Sequence, residues 1–231
     1  MELNRIYDER TYTFSDFLTS TFSYMVVGLL ITAVTSLFGY RFFSHILTSF
    51  SGMMLIAILQ VGISVFFSAR LLHMEHSTAR LCFLMYSFLT GVTLSYLPYV
   101  YGGGTLFIAV AMTSTVFIAM AVIGHTTHMD MTRIQPYLLS GLIALLITTV
   151  LNAFFFRSFG LDALLNYAGI IIFLGLIAYD MQSLRRLYNS GRYEDALGKK
   201  LAIYGAFTLY LDFINVFLRV LQILAASRDN D

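Results

Sequence analysis

Two aspartates lie inside segments that are otherwise apolar. Asp212 lies in YGAFTLYLDFINVFLRVLQIL (Tyr204–Leu224), which is long enough to cross a membrane, and Asp180 lies in FLGLIAYDMQSLRRL. A charged residue at the centre of a membrane helix costs about 2.5–3.5 kcal/mol on translocon-type scales. Residues kept at that cost mark ion paths, proton relays or internal contacts, so both aspartates are candidates for function.

The two aspartates are predicted to lie at similar depth. The polar connection NSGRYEDALGKK joins their segments, and positions 180 and 212 are equidistant from residue 196 within it. A hairpin that turns there brings the two carboxyl groups together. Two carboxylates in a dry site cannot both ionise cheaply, so the pair shares a proton. Such a pair can act as a proton-operated latch, a cation site or a general acid–base dyad, and spacing does not choose among the three.

The polar residues of the last segment fall on one face of a helix. The spacings between them are four, four, three, four and three, as one helical face requires. We therefore expect this face to point toward protein or water, with the last helix central in a bundle. A polar face can also serve only to join helices through hydrogen bonds. The residues of this polar stripe are Tyr204, Thr208, Asp212, Asn215, Arg219 and Gln222.

The composition is that of a polytopic membrane protein. The chain of 231 residues is 58% hydrophobic and 12% charged, whereas soluble domains are about 45–50% apolar and about 25% charged. The net charge is +1 and the basic residues are dispersed, which gives no nucleic-acid footprint. The single cysteine, Cys82, excludes an internal disulfide.

Seven apolar segments of spanning length predict an all-α integral membrane protein, a seven-transmembrane-helix bundle with a central last helix. A single transmembrane domain is expected over residues 1–231, with a short polar N-terminal segment (1–16), helices within about 17–225 and a short C-terminal tail. Pro98 with Gly102–Gly104, and Gly124 with Pro136, are helix-ending signals between segments. The segments are Phe17–Tyr40, Gly52–Ala69, Leu81–Leu97, Thr105–Gly124, Tyr137–Phe156, Leu164–Leu184 and Leu201–Ala225.

Lysine and arginine set the expected orientation. Ten lie at the N-terminus and in the second, fourth and sixth loops, which places the N-terminus in the cytoplasm and, after seven crossings, the C-terminus outside. A re-entrant last helix would instead place the C-terminus in the cytoplasm. The first sixteen residues lack the apolar core of a cleavable signal peptide, so the first helix is expected to act as an uncleaved insertion signal. The two sets are Arg5, Arg10, Arg70, Arg80, Arg133, Arg185, Arg186, Arg192, Lys199 and Lys200, against Arg41, Arg157, Arg228 and, near that end, Arg219.

Three motifs resemble one known family. TLYLDFINVFL (Thr208–Leu218), GLIAYDMQSL (Gly175–Leu184) and LTGVTLS (Leu89–Ser95) are similar to the Bax inhibitor-1 family, also called the transmembrane Bax inhibitor motif family, and above all to its bacterial branch. The resemblance covers all seven segments. It implies a central last helix ringed by the others and an acidic pair that maps onto Asp180 and Asp212. Members are associated with pH-sensitive calcium leak across a membrane, and animal members with suppression of cell death.

The resemblance and the acidic pair together predict a pH-sensitive calcium leak channel, not an enzyme, in a bacterial inner membrane. Its expected partners are the lipid bilayer, calcium as the permeating ion and, in an alternative, another membrane protein; no cofactor is expected. Asp180 and Asp212 would sense pH and hold Ca²⁺ transiently, and Arg70 is a candidate counter-ion for Asp180 or an interfacial anchor. The remaining polar positions of the path are Thr208, Asn215, Arg219, Gln222 and Gln60, the last standing where certain bacterial relatives have a glutamate.

Two other functions compete with the channel. A non-conducting regulator or scaffold of another membrane protein, such as a protease, would need no ion path. An intramembrane aspartyl protease would use a Tyr-Asp pair such as Tyr179–Asp180, but its second aspartate should follow Gly-x-Gly. Here Leu209–Leu211 crowds that approach to Asp212. A retinal receptor would need a lysine inside the last helix, and Lys199 and Lys200 lie only at its mouth.

Four of the five histidines form two pairs at a spacing of three, and His45 lies apart from them. His73 and His76 fall in the second loop, and His125 and His128 fall in the fourth loop near Asp130. Such a spacing can serve a metal ion or a proton sensor. Solvated loop histidines are the commoner case, so the aspartate pair remains the main candidate site.

Overall fold

The computed structural model describes residues 13–189 and 195–228, which form seven α-helices. Residues 1–12, 190–194 and 229–231 lie outside the described part, and with them Arg5, Arg10, Arg192 and the end of the C-terminal tail. Short 3-10 turns follow α2 (Leu71–His73) and precede α5 (Met131–Arg133). The helices are α1 Phe14–Leu47, α2 Phe50–Arg70, α3 His76–Leu94, α4 Leu97–Thr126, α5 Gln135–Leu151, α6 Phe159–Asn189 and α7 Asp195–Arg228.

The chain divides into two compact units. The first comprises residues Met1–Thr93 and Arg185–Phe207, and the second comprises Leu94–Leu184 and Thr208–Asp231. Helices α6 and α7 are therefore both divided, with one segment in the first unit and the other segment in the second. The expectation of one transmembrane domain over 1–231 stays a prediction.

Six of the described α-helices are long and apolar enough to cross a membrane, and α3 is not among those six. The most apolar 18-residue window of α7 is 67% buried, against 11–33% for the windows of the other five. The sequence thus correctly predicts a multi-pass, all-helical membrane protein. The number of crossings and the orientation of the N-terminus stay predictions.

The helix-ending signal predicted around Pro98 and Gly102–Gly104 is confirmed at Gly102, where the helical backbone is interrupted. Helix α4 begins at Leu97 with Pro98 in its first turn, where the missing N–H has no helical partner to lose. The backbone of Gly102 takes the non-helical angles φ 71° and ψ 156°, so a kink at this residue joins a short helical stretch that begins at Leu97 to the rest of α4. The predicted third segment, Leu81–Leu97, consequently ended too late, because α3 stops at Leu94.

A buried asparagine shapes the turn between α5 and α6. Regular α-helix ends at Leu151 and a π-helical turn continues it over Asn152–Phe156, so the predicted segment Tyr137–Phe156 lies within the apolar helix Gln135–Phe156. The Asn152 Nδ2 donates to Ser158 O at 3.2 Å and to Asp162 Oδ1 at 2.6 Å, and its Oδ1 accepts from Ser158 N at 3.1 Å. The turn closes with Arg157 in the left-handed region, at φ 48°.

The first unit packs around an aromatic cluster from α2, α3 and α7. The Phe207 ring centroid lies 4.7 Å from that of Phe67, 5.1 Å from Tyr86 and 6.3 Å from Phe83. Helices α1 and α3 also approach closely, because a Cβ on Gly91 would lie 2.7 Å from the carbonyl oxygen of Thr32. Small residues permit such approaches between membrane helices.

Candidate functional site

Helices α6 and α7 bring Asp180 and Asp212 together inside the second unit. The two side chains are hydrogen-bonded to each other. Because a carboxylate only accepts hydrogen bonds, this contact requires a proton on one of the two groups. Asp212 is 6% exposed, and its Oδ2 has no hydrogen-bond partner among the described residues. The predicted proximity of the two carboxyl groups is confirmed.

Two contacts fix the part of α6 that carries Asp180. Gly124 of α4 lies against the backbone of Ala178, where an added Cβ would lie 2.6 Å from the Ala178 Cα. The carboxamide of Gln182 holds the connection between α4 and α5: its Nε2 donates to Met129 O at 2.7 Å, and its Oε1 accepts from Met131 N at 2.9 Å. Asp180 therefore lies between two anchored positions of its helix.

The polar stripe of α7 is buried to different extents along its length. Thr208, Asn215 and Arg219 are partly buried, whereas Gln222 is exposed. Asn215 donates through Nδ2 to Leu211 O at 2.8 Å, a bond within its own helix. The stripe is continuous as a helical face, and Asp212 is its most buried member in the second unit.

Arg219 lies across α6 at a glycine. Its Nη1 donates to Leu165 O at 3.0 Å and approaches Asn166 Oδ1 at 3.4 Å. The guanidinium carbon lies 5.8 Å from the ring centroid of Phe173, within cation–π range. The side chain packs on Gly169, where an added Cβ would lie 2.5 Å from the Arg219 Cδ.

Two predicted site residues lie in the first unit. The Gln60 carboxamide of α2 is engaged with α3, because its Nε2 donates to Thr90 Oγ1 at 3.3 Å and its Oε1 accepts from Thr93 Oγ1 at 3.3 Å. Arg70 is exposed in the last turn of α2. Its pairing with Asp180, like the path role of Gln60, stays a prediction.

The histidine pairs do not form part of a larger ligand cluster. Among the described residues, no group of three or more His, Cys, Asp or Glu side chains comes together. His76 contacts Tyr24 instead, with Nε2 lying 3.2 Å from the phenol oxygen. Burial lowers the pKa of His76, and the nearby positive charges of Lys199, Arg80 and Lys200 lower it further.

The spacing of polar residues in the sequence does not identify several residues of the site. The sequence predicts that Gly124 belongs to a helix-ending signal, and Gly169, Asn166 and Gln182 lie outside the predicted polar stripe. Each glycine is the only kind of residue that fits its contact, because any side chain would collide with Ala178 or Arg219. Glycine inside an apolar helix, opposite a helix that carries a large polar residue, is the signal that could have identified Gly169.

Comparisons with known proteins agree with this architecture. The family described as "Inhibitor of apoptosis-promoting Bax1" matches residues 14–229. An uncharacterized protein of Borreliella burgdorferi is 35% identical over 220 residues, covering 93% of each chain. An uncharacterized protein of Rickettsia prowazekii is 34% identical over 98% of this chain and 94% of its own. The inner membrane protein YbhL of Escherichia coli K12 is 31% identical over 92% of each chain. The match over residues 14–229 places this protein in the Bax inhibitor-1 family.

Proposed function

We propose that this protein is a pH-sensitive leak channel for calcium or a similar cation, gated by the Asp180–Asp212 pair. The observation that carries the proposal is the hydrogen bond between these two carboxyl groups inside an apolar helix pair. One proton holds the contact together, and its loss replaces an attraction with a repulsion. The strength of such a contact therefore depends on pH, because it changes when one of the two carboxyl groups loses its proton.

The proposed closed state has the proton shared between the two carboxyl groups. When the pH rises and the proton leaves to solution, two like charges face each other in a medium of low dielectric constant. Their repulsion favours separation of α6 from α7 at the level of the aspartates. The proton thus biases a helix packing with two states, which is the usual form of a pH switch.

The separated carboxylates are suitable transient ligands for a permeating cation. Calcium is coordinated by oxygen atoms, and ionised carboxylates are its commonest charged ligands. Beyond the pair, the polar stripe continues the path with Thr208, Asn215, Arg219 and Gln222, and Gln60 is the proposed polar contribution of α2. The positive charge of Arg219 forms an electrostatic barrier that keeps the resting leak small.

The proposed setting is a bacterial inner membrane, as the name of the Escherichia coli relative states for that protein. We retain the seven-crossing topology with a cytoplasmic N-terminus, a seven-helix bundle around α7 and no enzymatic activity. The high burial of the α7 window supports a central place for this helix. The partners are then the bilayer and the permeating ion.

Calcium flux into liposomes loaded with a calcium dye tests the proposal. Purified wild type should leak more as the pH rises, because deprotonation separates the pair. Asp180→Asn and Asp212→Asn should each flatten this pH response, because an amide cannot change its charge. Asp162→Asn is the matched control, since Asp162 lies on the same helix but bonds to Asn152 in the turn.

Two outcomes would contradict the proposal. A pH response that persists unaltered in both Asn variants would remove the aspartates as the sensor. A complete absence of flux in wild type at every pH would favour the non-conducting alternative, a regulator or scaffold of another membrane protein.

A further inference from the structure

Arg219 makes a set of contacts with α6 that an electrostatic barrier does not require. A barrier needs only a positive charge near the path, whereas this side chain lies against α6 and bonds to a backbone carbonyl there. Leu165, Asn166, Gly169 and Phe173 all contribute to the surface that receives it. These positions lie on one side of α6 because they are spaced by one, three and four residues.

The surface under Arg219 is shaped for this side chain. Gly169 is buried, and a methyl group there would overlap the Arg219 side chain from Cδ to Cζ. The guanidinium therefore lies in the groove that the missing side chain leaves. Its Nη1 is bound by Leu165 O, and its Nε is buried without a hydrogen-bond partner among the described residues. The contact combines a charge-assisted hydrogen bond, cation–π stacking and close packing.

The contact does not depend on pH in the way that the aspartate pair does. A guanidinium stays protonated, while the carbonyl of Leu165, the amide of Asn166 and the ring of Phe173 have no acidic proton to lose. Helices α6 and α7 are thus joined at two levels within the second unit. One level is held by a single labile proton and the other by groups that do not titrate.

We propose that Arg219 and Gly169 form a permanent staple between α6 and α7, so that the helices separate at the aspartate level and pivot at the arginine level. The pivot role rests on the proposed function, whereas the staple itself does not. Arg219 and Gly169 are positioning residues in this scheme. Their contact confines the opening motion to one end of the helix pair.

A barrier and a staple predict different effects for one substitution. Gly169→Ala keeps the positive charge of Arg219 but displaces its side chain from α6. A barrier alone leaves the leak nearly unchanged in this variant. A staple predicts a severalfold higher leak at low pH and a shallower pH profile, close to those of Arg219→Leu. Gly62→Ala is the matched control, because a Cβ there meets nothing within 4 Å.

Pulsed electron paramagnetic resonance measures the two levels separately. Nitroxide labels at Leu164 and Ala226 report on the arginine level, and labels at Ser183 and Leu211 report on the aspartate level. Both pairs are placed in a Cys82→Ala background, because Cys82 is the single native cysteine. Distances are measured in bilayer nanodiscs at low and high pH, for wild type and for Gly169→Ala. Arg219→Lys is included because it keeps the charge without the planar fork.

In wild type we expect the aspartate-level distance to lengthen as the pH rises while the arginine-level distance stays constant. In Gly169→Ala the arginine-level distance should lengthen or broaden already at low pH, with Arg219→Lys intermediate. An arginine-level distance that is unchanged by Gly169→Ala at low pH overturns the staple. Equal lengthening at both levels in wild type overturns the pivot. If neither distance of wild type responds to pH, the gating by the aspartates fails, while the low-pH comparison still decides the staple.

Discussion

The ionisable residues Asp180, Asp212 and Arg219 differ in what a proton does for their contacts between α6 and α7. Asp180 and Asp212 need one shared proton to make their contact, so the contact is strong only while that proton is present. Arg219 needs no such proton and binds a backbone carbonyl of α6 at 3.0 Å. The cost of placing these charged groups in an apolar helix is thus offset in two ways. The acids are neutralised in part by sharing, and the base is satisfied by the partner helix.

His76 gives a second, independent titration at the residue scale. We expect its pKa, measured by NMR of labelled histidine, to lie below the ordinary 6.5 because burial and neighbouring cations disfavour its charged form. Lys199→Gln should raise that pKa toward 6.5. A lowered pKa in the folded state means that His76 contributes stability fully above pH 6.5 and loses it as the pH falls through the folded pKa. A pKa above 6.5, or one insensitive to Lys199→Gln, would contradict this electrostatic environment.

At the scale of elements, α6 is held in place on both sides of Asp180. The absence of a side chain at Gly124 allows α4 to contact the backbone at Ala178. The carboxamide of Gln182 hydrogen-bonds to the α4–α5 connection through both its oxygen and its nitrogen. A helix that is anchored in this way presents its carboxyl group at a fixed position. The proton-dependent movement is then expected mainly in the partner segment of α7.

Gly124→Ala tests the anchoring of α6 by α4. The new methyl group would meet backbone atoms of Ala178, which cannot rotate away, so the helices must shift. Overpacking of this kind costs about 1–3 kcal/mol, and we expect a matching loss of thermal stability in detergent. Gly103→Ala, in the same helix with nothing within 4 Å of the added Cβ, is the control. Equal stability of the two variants would show that α4 and α6 do not touch as described.

The sequence predicts most of the elements but not their irregularities. Apolar segments of spanning length identify all seven helices, and the four- and three-residue spacing predicts the face that carries Asp212 and Arg219. Residue 196 lies midway between positions 180 and 212, and a hairpin that turns there also predicts that Asp180 meets Asp212. The glycines at 102–104 indicate a break without giving its position, and the Asn152 turn could not be predicted because it depends on hydrogen bonds of the carboxamide to Ser158 and Asp162. The sequence also does not show that Gly169 makes room for the Arg219 side chain, because that contact is between two different helices.

At the scale of the whole molecule, the composition and six span-length helices define a multi-pass membrane protein of the Bax inhibitor-1 family. Within it, the second compact unit contains the acidic pair and the arginine contact, and Gln60 and Arg70 lie in the first unit. The central claim is that one shared proton controls the conductance. In this proposal, deprotonation of the Asp180–Asp212 pair increases the calcium leak of the protein in a bilayer.

Infrared titration of the proteoliposomes used for calcium flux tests this claim most directly. The carbonyl stretch of a protonated carboxyl group reports on the shared proton, and the calcium dye reports on the leak across the same pH series. We predict that the wild-type band disappears with the same midpoint at which the leak rises. The double variant Asp180→Asn with Asp212→Asn should lack both the band and the pH response. A leak that rises while the band is unchanged, or a band that is lost with no change in leak, would contradict the account.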